Sequence, residues 1–255
     1  KETLTLKSAE EMFLAADLET MEELEKNKRK PVTIVWRNVA IFAFLHFAGL
    51  VGFYEFLFNA MWLTRAWTFF LYIYSGVGIT AGAHRLWSHR AYKATFGFRV
   101  MLMLTNCVAF QNDVIEWARD HRCHHKWTDT EADPHNARRG FFYSHVGWLM
   151  TRKTPQLKEM GAKIDLSDLF NDPILVFQRK HYLPLVVIFC FLLPAAIPVY
   201  VWGESALVAY FTASLFRYAF TLNATWLINS AAHIFGYKPY DHSISPVESM
   251  WTNQL

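Results

Sequence analysis

Histidine is concentrated in three short motifs of the 255-residue chain, which hold six of its eleven histidines. The motifs are HRLWSH (His84, His89), HRCHH (His121, His124, His125) and NSAAH (His233). Because an α-helix turns about 100° per residue, the HxxHH spacing predicts three imidazoles on a single surface. His84 and His89 would lie about 140° apart on a straight helix, so they either flank a centre with two metals or straddle a helix terminus.

This density of imidazoles indicates metal binding. Uncompensated polar groups in apolar surroundings cost several kcal/mol, and metal coordination offsets that cost. Imidazole suits zinc, copper, iron and nickel, and six histidines exceed the ligands of one tetrahedral zinc ion. Two metals are therefore predicted, which favours redox chemistry over structural binding. Asn229 lies four residues before His233 and hence on the same face of a helix.

Acidic residues surround HRCHH, and two interpretations of them stay open. They are Asp113, Glu116, Asp120, Asp129, Glu131 and Asp133. They look like further metal ligands, but we favour an orienting role in which some accept a hydrogen bond from the second ring nitrogen of a histidine. Others would pair with nearby Arg and Lys. His135 is assigned to these acidic surroundings, and thiolate ligation by Cys123 is a less favoured alternative.

The elements that must position these residues are long apolar stretches. The chain is 53% hydrophobic, 17% aromatic and 18% charged, which is unusual for a soluble domain. Residues 66–83 and 182–203 carry no charge, residues 39–64 carry only Glu55, and residues 205–232 carry only Arg217. About 20 apolar residues of helix cross a bilayer core, so we predict four spans in two hairpins. A soluble four-helix bundle is the alternative, but its helices would show a polar face that these stretches lack over most of their length.

Basic residues set the predicted orientation. Residues 84–181 hold fifteen of the 25 Lys and Arg and residues 1–30 hold six, while both hairpin turns are nearly free of them. Since Lys and Arg near span ends stay in the cytosol, both termini and the middle segment are predicted to be cytosolic. The predicted fold class is an all-α integral membrane protein, with four transmembrane helices in two hairpins and a cytosolic helical cap that holds a dimetal site. Its predicted parts are a cytosolic tail (1–33), hairpin 1 (34–83), the cap (84–181), hairpin 2 (182–232) and the start of a C-terminal cap (233–255).

Net charge and cysteine content indicate on which side of the membrane the polar parts of the chain lie. The net charge of +3 fits a membrane-facing cytosolic surface rather than nucleic-acid binding. Cys107, Cys123 and Cys190 are too scattered for a disulfide framework, as expected in the reducing cytosol. Residues 101–110 are apolar but too few to span, which predicts a buried or interfacial helix.

Five segments of the chain resemble one known family. They are GITAGAHRLWSHRAYKA (78–94), QNDVIEWARDHRCHHKWTDTEADPHN (111–136), RRGFFYSHVGWL (138–149), IDLSDLFNDP (164–173) and NATWLINSAAHIFGYKPYD (223–241). In this order they are similar to the animal membrane-bound acyl-CoA desaturases of the stearoyl-CoA type. The resemblance implies insertion of a cis double bond into a saturated acyl-CoA, at the Δ9 or a related position, by a centre of two iron ions that uses O2. It also implies electrons from cytochrome b5 and its NADH-dependent reductase, and a place in the endoplasmic reticulum membrane.

The resemblance also assigns roles to individual residues. The metal ligands that it implies are His84, His89, His121, His124, His125 and His233, with Asn229 acting through a water. The acyl tunnel that it implies bends at Gln111, Trp117 and Thr225, closes at Tyr72 and Gly76, and meets the thioester near Asn112 and Trp226. The CoA contacts that it implies are Asn38, Arg119, Asp120, Arg152 and Lys153. For Arg152 and Lys153, a solvated basic face is an equally good interpretation.

Two other functions compete with desaturation. A membrane di-iron hydroxylase would use similar motifs but return oxygen to the carbon. A metal transporter would need ligands along a path near the membrane midplane, whereas these motifs lie at the predicted cytosolic ends of the spans. The family also has a third motif, of HxxHH form, downstream of NSAAH, and none occurs between His233 and Leu255. We therefore expect the chain to be a fragment that cannot complete both metal sites.

Overall fold

The computed structural model describes residues 31–239 and 246–249. Within these residues the chain is helical, and β-structure is limited to two isolated bridges, Ile34 with Thr151 and Tyr237 with Glu248. The predicted all-α class is therefore confirmed for the described part. The predicted tail (1–33) and the predicted C-terminal segment (233–255) lie largely outside the described residues.

The described residues form a series of helices with few long breaks. In chain order the α-helices are α1 (Trp36–Phe58), α2 (Trp62–Val77), α3 (Phe96–Ala109), α4 (Val114–Lys126), α5 (Phe141–His145), α6 (Pro155–Ala162), α7 (Ser167–Phe170), α8 (Pro173–Lys180), α9 (Tyr182–Val186), α10 (Leu193–Trp202), α11 (Ala206–Ala209) and α12 (Arg217–Ile234). Three π-helical segments continue them without a break: π1 (Gly78–Ser88) after α2, π2 (Val187–Leu192) between α9 and α10, and π3 (Tyr210–Phe216) between α11 and α12. Short 3₁₀ turns occupy Ala137–Arg139 and Gly147–Met150.

Two long helices have the length and composition of membrane spans. The most apolar parts of α1 and of the continuous helix Tyr182–Trp202 have mean hydropathies of 1.8 and 2.4, and only 22% of each is buried inside the protein. Phe44, Phe47 and Leu50 on α1 are instead 67%, 68% and 69% exposed. Such continuous apolar exposure disfavours the soluble bundle. The other two predicted spans form continuous helices, Trp62–Ser88 and Ala206–Ile234, but their hydropathy falls short of that of a span.

Both hairpins turn at the same end of the molecule. Residues 59–61 join α1 to α2, and residues 203–205 join α10 to α11. In the second turn, the Glu204 carboxylate accepts hydrogen bonds from the Met61 N–H (2.8 Å) and the Thr64 hydroxyl (2.6 Å) of the first hairpin. Trp202 Nε1 also donates to the Thr64 hydroxyl oxygen (2.9 Å). These contacts lie at the end of the α2–π1 helix that is remote from the histidines.

The chain reverses its direction after α3, in a short connection that contains Gln111 and Asn112. The apolar stretch 101–110 forms the second half of α3 and its C-terminal cap, Phe110, and seven of the fourteen residues of α3 are buried, as predicted. Phe110 and Asn112 have φ values of +49° and +72°, in the left-handed region, and the chain reverses between α3 and α4. α4 begins after Asp113, whose carboxylate accepts from the Glu116 N–H (3.1 Å) as an N-cap. The reversal therefore places Gln111 just before the helix that carries HRCHH.

Candidate metal centre and substrate cavity

Four histidines form one compact group, called here the first group. They are His84, His89, His121 and His125, and one ring nitrogen from each lies within 4.8 Å of the others. In a π-helix each N–H bonds the carbonyl five residues earlier, so residues five apart lie above one another. The His89 N–H donates to the His84 carbonyl (3.0 Å), and their ring centroids are 4.6 Å apart. His89 directly follows π1, so the pair straddles a helix terminus, which is one of the two predicted alternatives.

The HRCHH motif lies in the last two turns of α4 and divides its imidazoles between two groups. Two of them belong to the first group. His124 instead faces the loop after α4, where ligating atoms of His124, Asp133 and His135 lie within 4.8 Å of one another. His233, near the end of α12, lies beside them, with 5.3 Å between its ring centroid and that of His124. The three rings of HRCHH lie 4.5 Å to 6.1 Å apart, as the prediction of a single surface requires, but His124 forms the second group with His233.

Buried acids orient the imidazoles of the second group. The Asp133 carboxylate accepts from His124 Nδ1 (3.0 Å) and from the backbone N–H groups of Asp129 (2.8 Å) and His135 (3.0 Å). His233 Nδ1 lies 3.3 Å from the Asp129 carboxylate. Contacts through Nδ1 leave Nε2 for a ligand, which is how carboxylates orient metal-binding histidines. Burial alone would lower the pKa of His124, but the hydrogen bond and charge of Asp133 outweigh it and raise that pKa.

Partial desolvation and mutual repulsion favour the neutral form of the first group, although His89 and His125 keep exposed surface. Burial is the main cause that lowers the pKa of His84 to about 4, with repulsion by His89 second. It also lowers the pKa of His125 to about 4, with the neighbouring histidines next in importance. The pKa values of His89 and His121 are lowered as well, again mainly by burial. Histidine binds metals as the neutral imidazole, so this group of four donors fits iron, zinc, copper or nickel.

A cavity of about 650 Å³ opens beside the first group. This volume falls in the range of small-molecule sites, roughly 300–1,000 Å³. The predicted site residues that line it are Asn38, Gln111, Asn112, Trp117, Asp120, His121, Thr225, Trp226 and Asn229. The Trp117 ring stacks on the His121 ring with 4.7 Å between centroids, and Gln111 Nε2 donates to the Thr225 hydroxyl (2.9 Å). The cavity therefore joins the predicted tunnel bend to a predicted metal ligand.

Two predicted tunnel residues lie elsewhere. Tyr72 and Gly76, both on α2, do not line this cavity. The Tyr72 ring packs edge-on against Phe220, with 5.0 Å between centroids. A Cβ at Gly76 would meet no described atom within 4 Å, apart from its own chain neighbours. A role for these two residues at the closed end of a tunnel stays a prediction.

The predicted CoA contacts include an ion-pair network at the edge of the cavity. Asp120 accepts from Lys153 Nζ (2.6 Å) and from Arg119 Nη2 (2.8 Å). Asn38 is fixed by a side-chain hydrogen bond to a backbone carbonyl (2.8 Å). Arg152 is exposed. Arg119 and Lys153 therefore bring two cations to the cavity edge, whereas Arg152 lies on the solvated surface.

Sequence reasoning missed several residues of the cavity wall, and His135 and Trp148 are examples. His135 and Trp148 both line the cavity, and their rings meet at 87° with 5.0 Å between centroids. His135 was assigned only to the acidic surroundings of HRCHH, and nothing in the spacing of Trp148 marks it. Their contact joins the loop after α4 to the 3₁₀ turn Gly147–Met150. A local sequence pattern does not indicate such a contact between distant segments.

Known proteins of similar sequence share most of this chain. No family model matches it. The chain is 61% identical over 246 residues to the Delta(9)-fatty-acid desaturase fat-6 of Caenorhabditis elegans, which is 95% of this chain and 73% of that protein. The chain belongs to the acyl-CoA desaturase family. It is also 57% identical over 227 residues to the Acyl-CoA Delta-9 desaturase of Acheta domesticus, covering 88% of this chain and 63% of that protein.

A vertebrate desaturase gives the same result. The chain is 53% identical over 228 residues to the Stearoyl-CoA desaturase of Homo sapiens, covering 88% of this chain and 63% of that protein. Because each match spans most of the chain, the likeness to desaturases extends well beyond the histidine motifs.

Proposed function

We propose that this protein is a fatty acyl-CoA desaturase, which inserts a cis double bond into a saturated acyl chain at the Δ9 or a related position. One observation carries the proposal: a compact group of neutral imidazoles opens onto a cavity of acyl-chain size. Relatives at 53% to 61% identity are named as Delta(9), acyl-CoA or stearoyl-CoA desaturases, which supports the same activity here.

The two histidine groups would each hold one iron ion. The first group offers four imidazoles, and the second offers His124 and His233, with Asn229 contributing through a water. When bound, two iron ions would supply, with O2 and two electrons, the oxidant that is needed to remove hydrogen from unactivated methylenes, because no side chain is basic enough to remove it. Asp133 holds the imidazole of His124 in the orientation that a metal ion needs.

The chain's own residues position the substrate. Trp117 covers the His121 ring, and the Gln111 to Thr225 hydrogen bond closes the cavity wall beside it. Apolar side chains from α1 and α12 line much of the rest of the cavity, which excludes water from the reacting carbons. Together they would present one pair of methylene carbons to the first group.

The CoA portion would be held at the cavity edge. Arg119 and Lys153 offer cations to its phosphates, Asp120 and Asn38 offer hydrogen-bonding groups, and Arg152 would add charge from the nearby surface. Binding energy from this distant head would position the reacting carbons, which is a common use of remote binding in catalysis.

The membrane arrangement proposed here has four spans in two hairpins, with both termini and the cap (84–181) in the cytosol. Two exposed apolar helices, Trp36–Phe58 and Tyr182–Trp202, support the membrane setting. Both hairpin turns share the end remote from the histidines, which supports a single cytosolic face for the metal ligands. We place the protein in the endoplasmic reticulum, where cytochrome b5 and its NADH-dependent reductase would supply electrons.

Expression in yeast that lacks its own desaturase tests the activity. The protein would be made as the 255-residue chain and as that chain extended with the C-terminal remainder of the Caenorhabditis elegans relative, with His124→Ala as the inactive control. We expect monounsaturated fatty acids from an active form and none from the control. Only hydroxylated acids, or only unchanged acids from both forms, would overturn the proposal.

A further inference from the structure

A buried arginine lies in the last proposed span. Arg217 begins α12, and the residue is 1% exposed. A charge at such a position is costly unless hydrogen bonds satisfy it, and it is usually functional. Its guanidinium donates to the backbone carbonyls of Val108 (2.7 Å), Cys190 (2.9 Å) and Ala213 (3.2 Å).

The three carbonyls belong to irregular parts of three helices. Val108 lies in the last turn of α3, where carbonyls have no partner within the helix. Cys190 lies in π2 and Ala213 in π3, where the regular α-helical pairing is interrupted. Arg217 therefore ties the end of α3 and π2 to its own helix, π3–α12, through charge-assisted bonds that are stronger than neutral ones.

Two of these attachment points, Val108 and Cys190, and Arg217 itself each lie within two residues of an aromatic residue of the cavity. Phe110 follows Val108 by two positions, Phe191 follows Cys190, and Tyr218 follows Arg217 itself. The rings of Phe110, Phe191 and Tyr218, called here the aromatic wall, line the cavity and contact one another with 5.3 Å to 5.8 Å between centroids.

We propose that Arg217 is a specificity-determining positioning residue. By fixing the backbone on which the aromatic wall stands, it sets how the acyl chain lies in the cavity and which carbons face the first group. The inference rests on the proposed desaturase function. It assigns Arg217 no contact with substrate or metal.

Product analysis of Arg217→Lys and Arg217→Met in the active form tests the inference. We expect Arg217→Met to change the ratio of double-bond positions, or of 16- to 18-carbon products, by about tenfold, since one misplaced methylene in an apolar pocket costs about that much, and Arg217→Lys to change it less. Lysine keeps a cation and should restore part of the parent ratio. Phe191→Leu, which leaves Arg217 in place, should shift the same ratio because it alters the aromatic wall directly.

Glu204→Gln is the matched control. It weakens a buried polar contact between helices at the far end of the protein, so it should lower the melting temperature but leave the product ratio unchanged. If the Arg217 variants make less unsaturated product but keep the product ratio of the parent, Arg217 has only a structural role and the inference is overturned. If those variants do not accumulate, an unchanged ratio in Phe191→Leu overturns it. Absence of unsaturated product from the parent would instead refute the proposed function.

Discussion

Asp133→Asn tests how the second group is held. The Asp133 side chain has no exposed surface, and each of its oxygens has two donors. Oδ1 accepts from His124 Nδ1 and from the His135 N–H, while Oδ2 accepts from His124 Nδ1 and from the Asp129 N–H. The substitution keeps the shape of the side chain but removes its charge and replaces one acceptor by an NH2 group.

The arrangement of donors sets the size of the effect. Whichever way the new amide is turned, its NH2 group faces one buried backbone N–H, so one donor loses its acceptor. An unsatisfied buried donor costs about 1–3 kcal/mol of folding free energy. Loss of a group that orients a metal ligand lowers metal affinity about 10- to 100-fold. We therefore expect both a lower melting temperature and weaker iron binding.

Iron titration of the purified protein in detergent measures the second effect. The ratio of bound iron to protein would be determined by mass spectrometry at graded Fe²⁺ concentrations, with thermal unfolding followed on the same samples. Asp165→Asn is the control, because Asp165 is exposed and accepts one backbone hydrogen bond, from the Ser167 N–H (2.9 Å). Its effect on stability should stay within about 0.5 kcal/mol. Iron affinity in Asp133→Asn equal to that of the control would refute the role of Asp133 in orienting His124.

Three further predictions follow from other contacts. Arg122 donates to the Trp87 carbonyl beside π1 (2.7 Å) and to Asp168 (2.7 Å), so Arg122→Met should cost about 1–2 kcal/mol and lower iron content; an unchanged iron ratio would contradict this. Glu204→Ala leaves the buried Thr64 hydroxyl and the partly buried Met61 N–H without their acceptor and should cost about 1–3 kcal/mol, measured as a lower melting temperature in detergent. His84 and His125 have pKa values lowered from 6.5 to about 4, so the unfolded chain binds protons in that interval that the folded chain does not. The chelator-treated protein should therefore lose stability as the pH falls from 6.5 towards 4, and a flat profile would contradict the lowered pKa values of these two imidazoles.

The spacing of the histidines in the sequence predicted which of them take part in the site, but not how they divide into the first and second groups. HRCHH lies on a regular α-helix, so its imidazoles could be located from sequence alone. His124 separates from the other two because Asp133 attracts its Nδ1 from a loop nine residues later. The approach of His89 to His84 depends on π1, and the helical patterns used here assume the α-helical period, which π1 does not follow.

Long-range contacts limited the prediction of the cavity. Gln111 and Thr225 are 114 residues apart, and only the family resemblance brought them together. Arg217 was noticed solely as one charge in an apolar stretch, because its carbonyl partners come from helix ends and π segments that composition does not reveal. Two of the four predicted spans reach the mean hydropathy that is typical of a membrane-spanning helix. Helix Ala206–Ile234 falls below it partly because it carries Arg217, whose side chain faces the protein interior.

Deuterium counting in the product tests the central claim most directly. Yeast expressing the active form would be fed a fully deuterated saturated fatty acid, and the products would be analysed by mass spectrometry. Desaturation predicts a product that has lost two deuterium atoms and gained no oxygen, absent from the His124→Ala control. A product that has lost one deuterium and gained one oxygen atom would show hydroxylation and contradict the account.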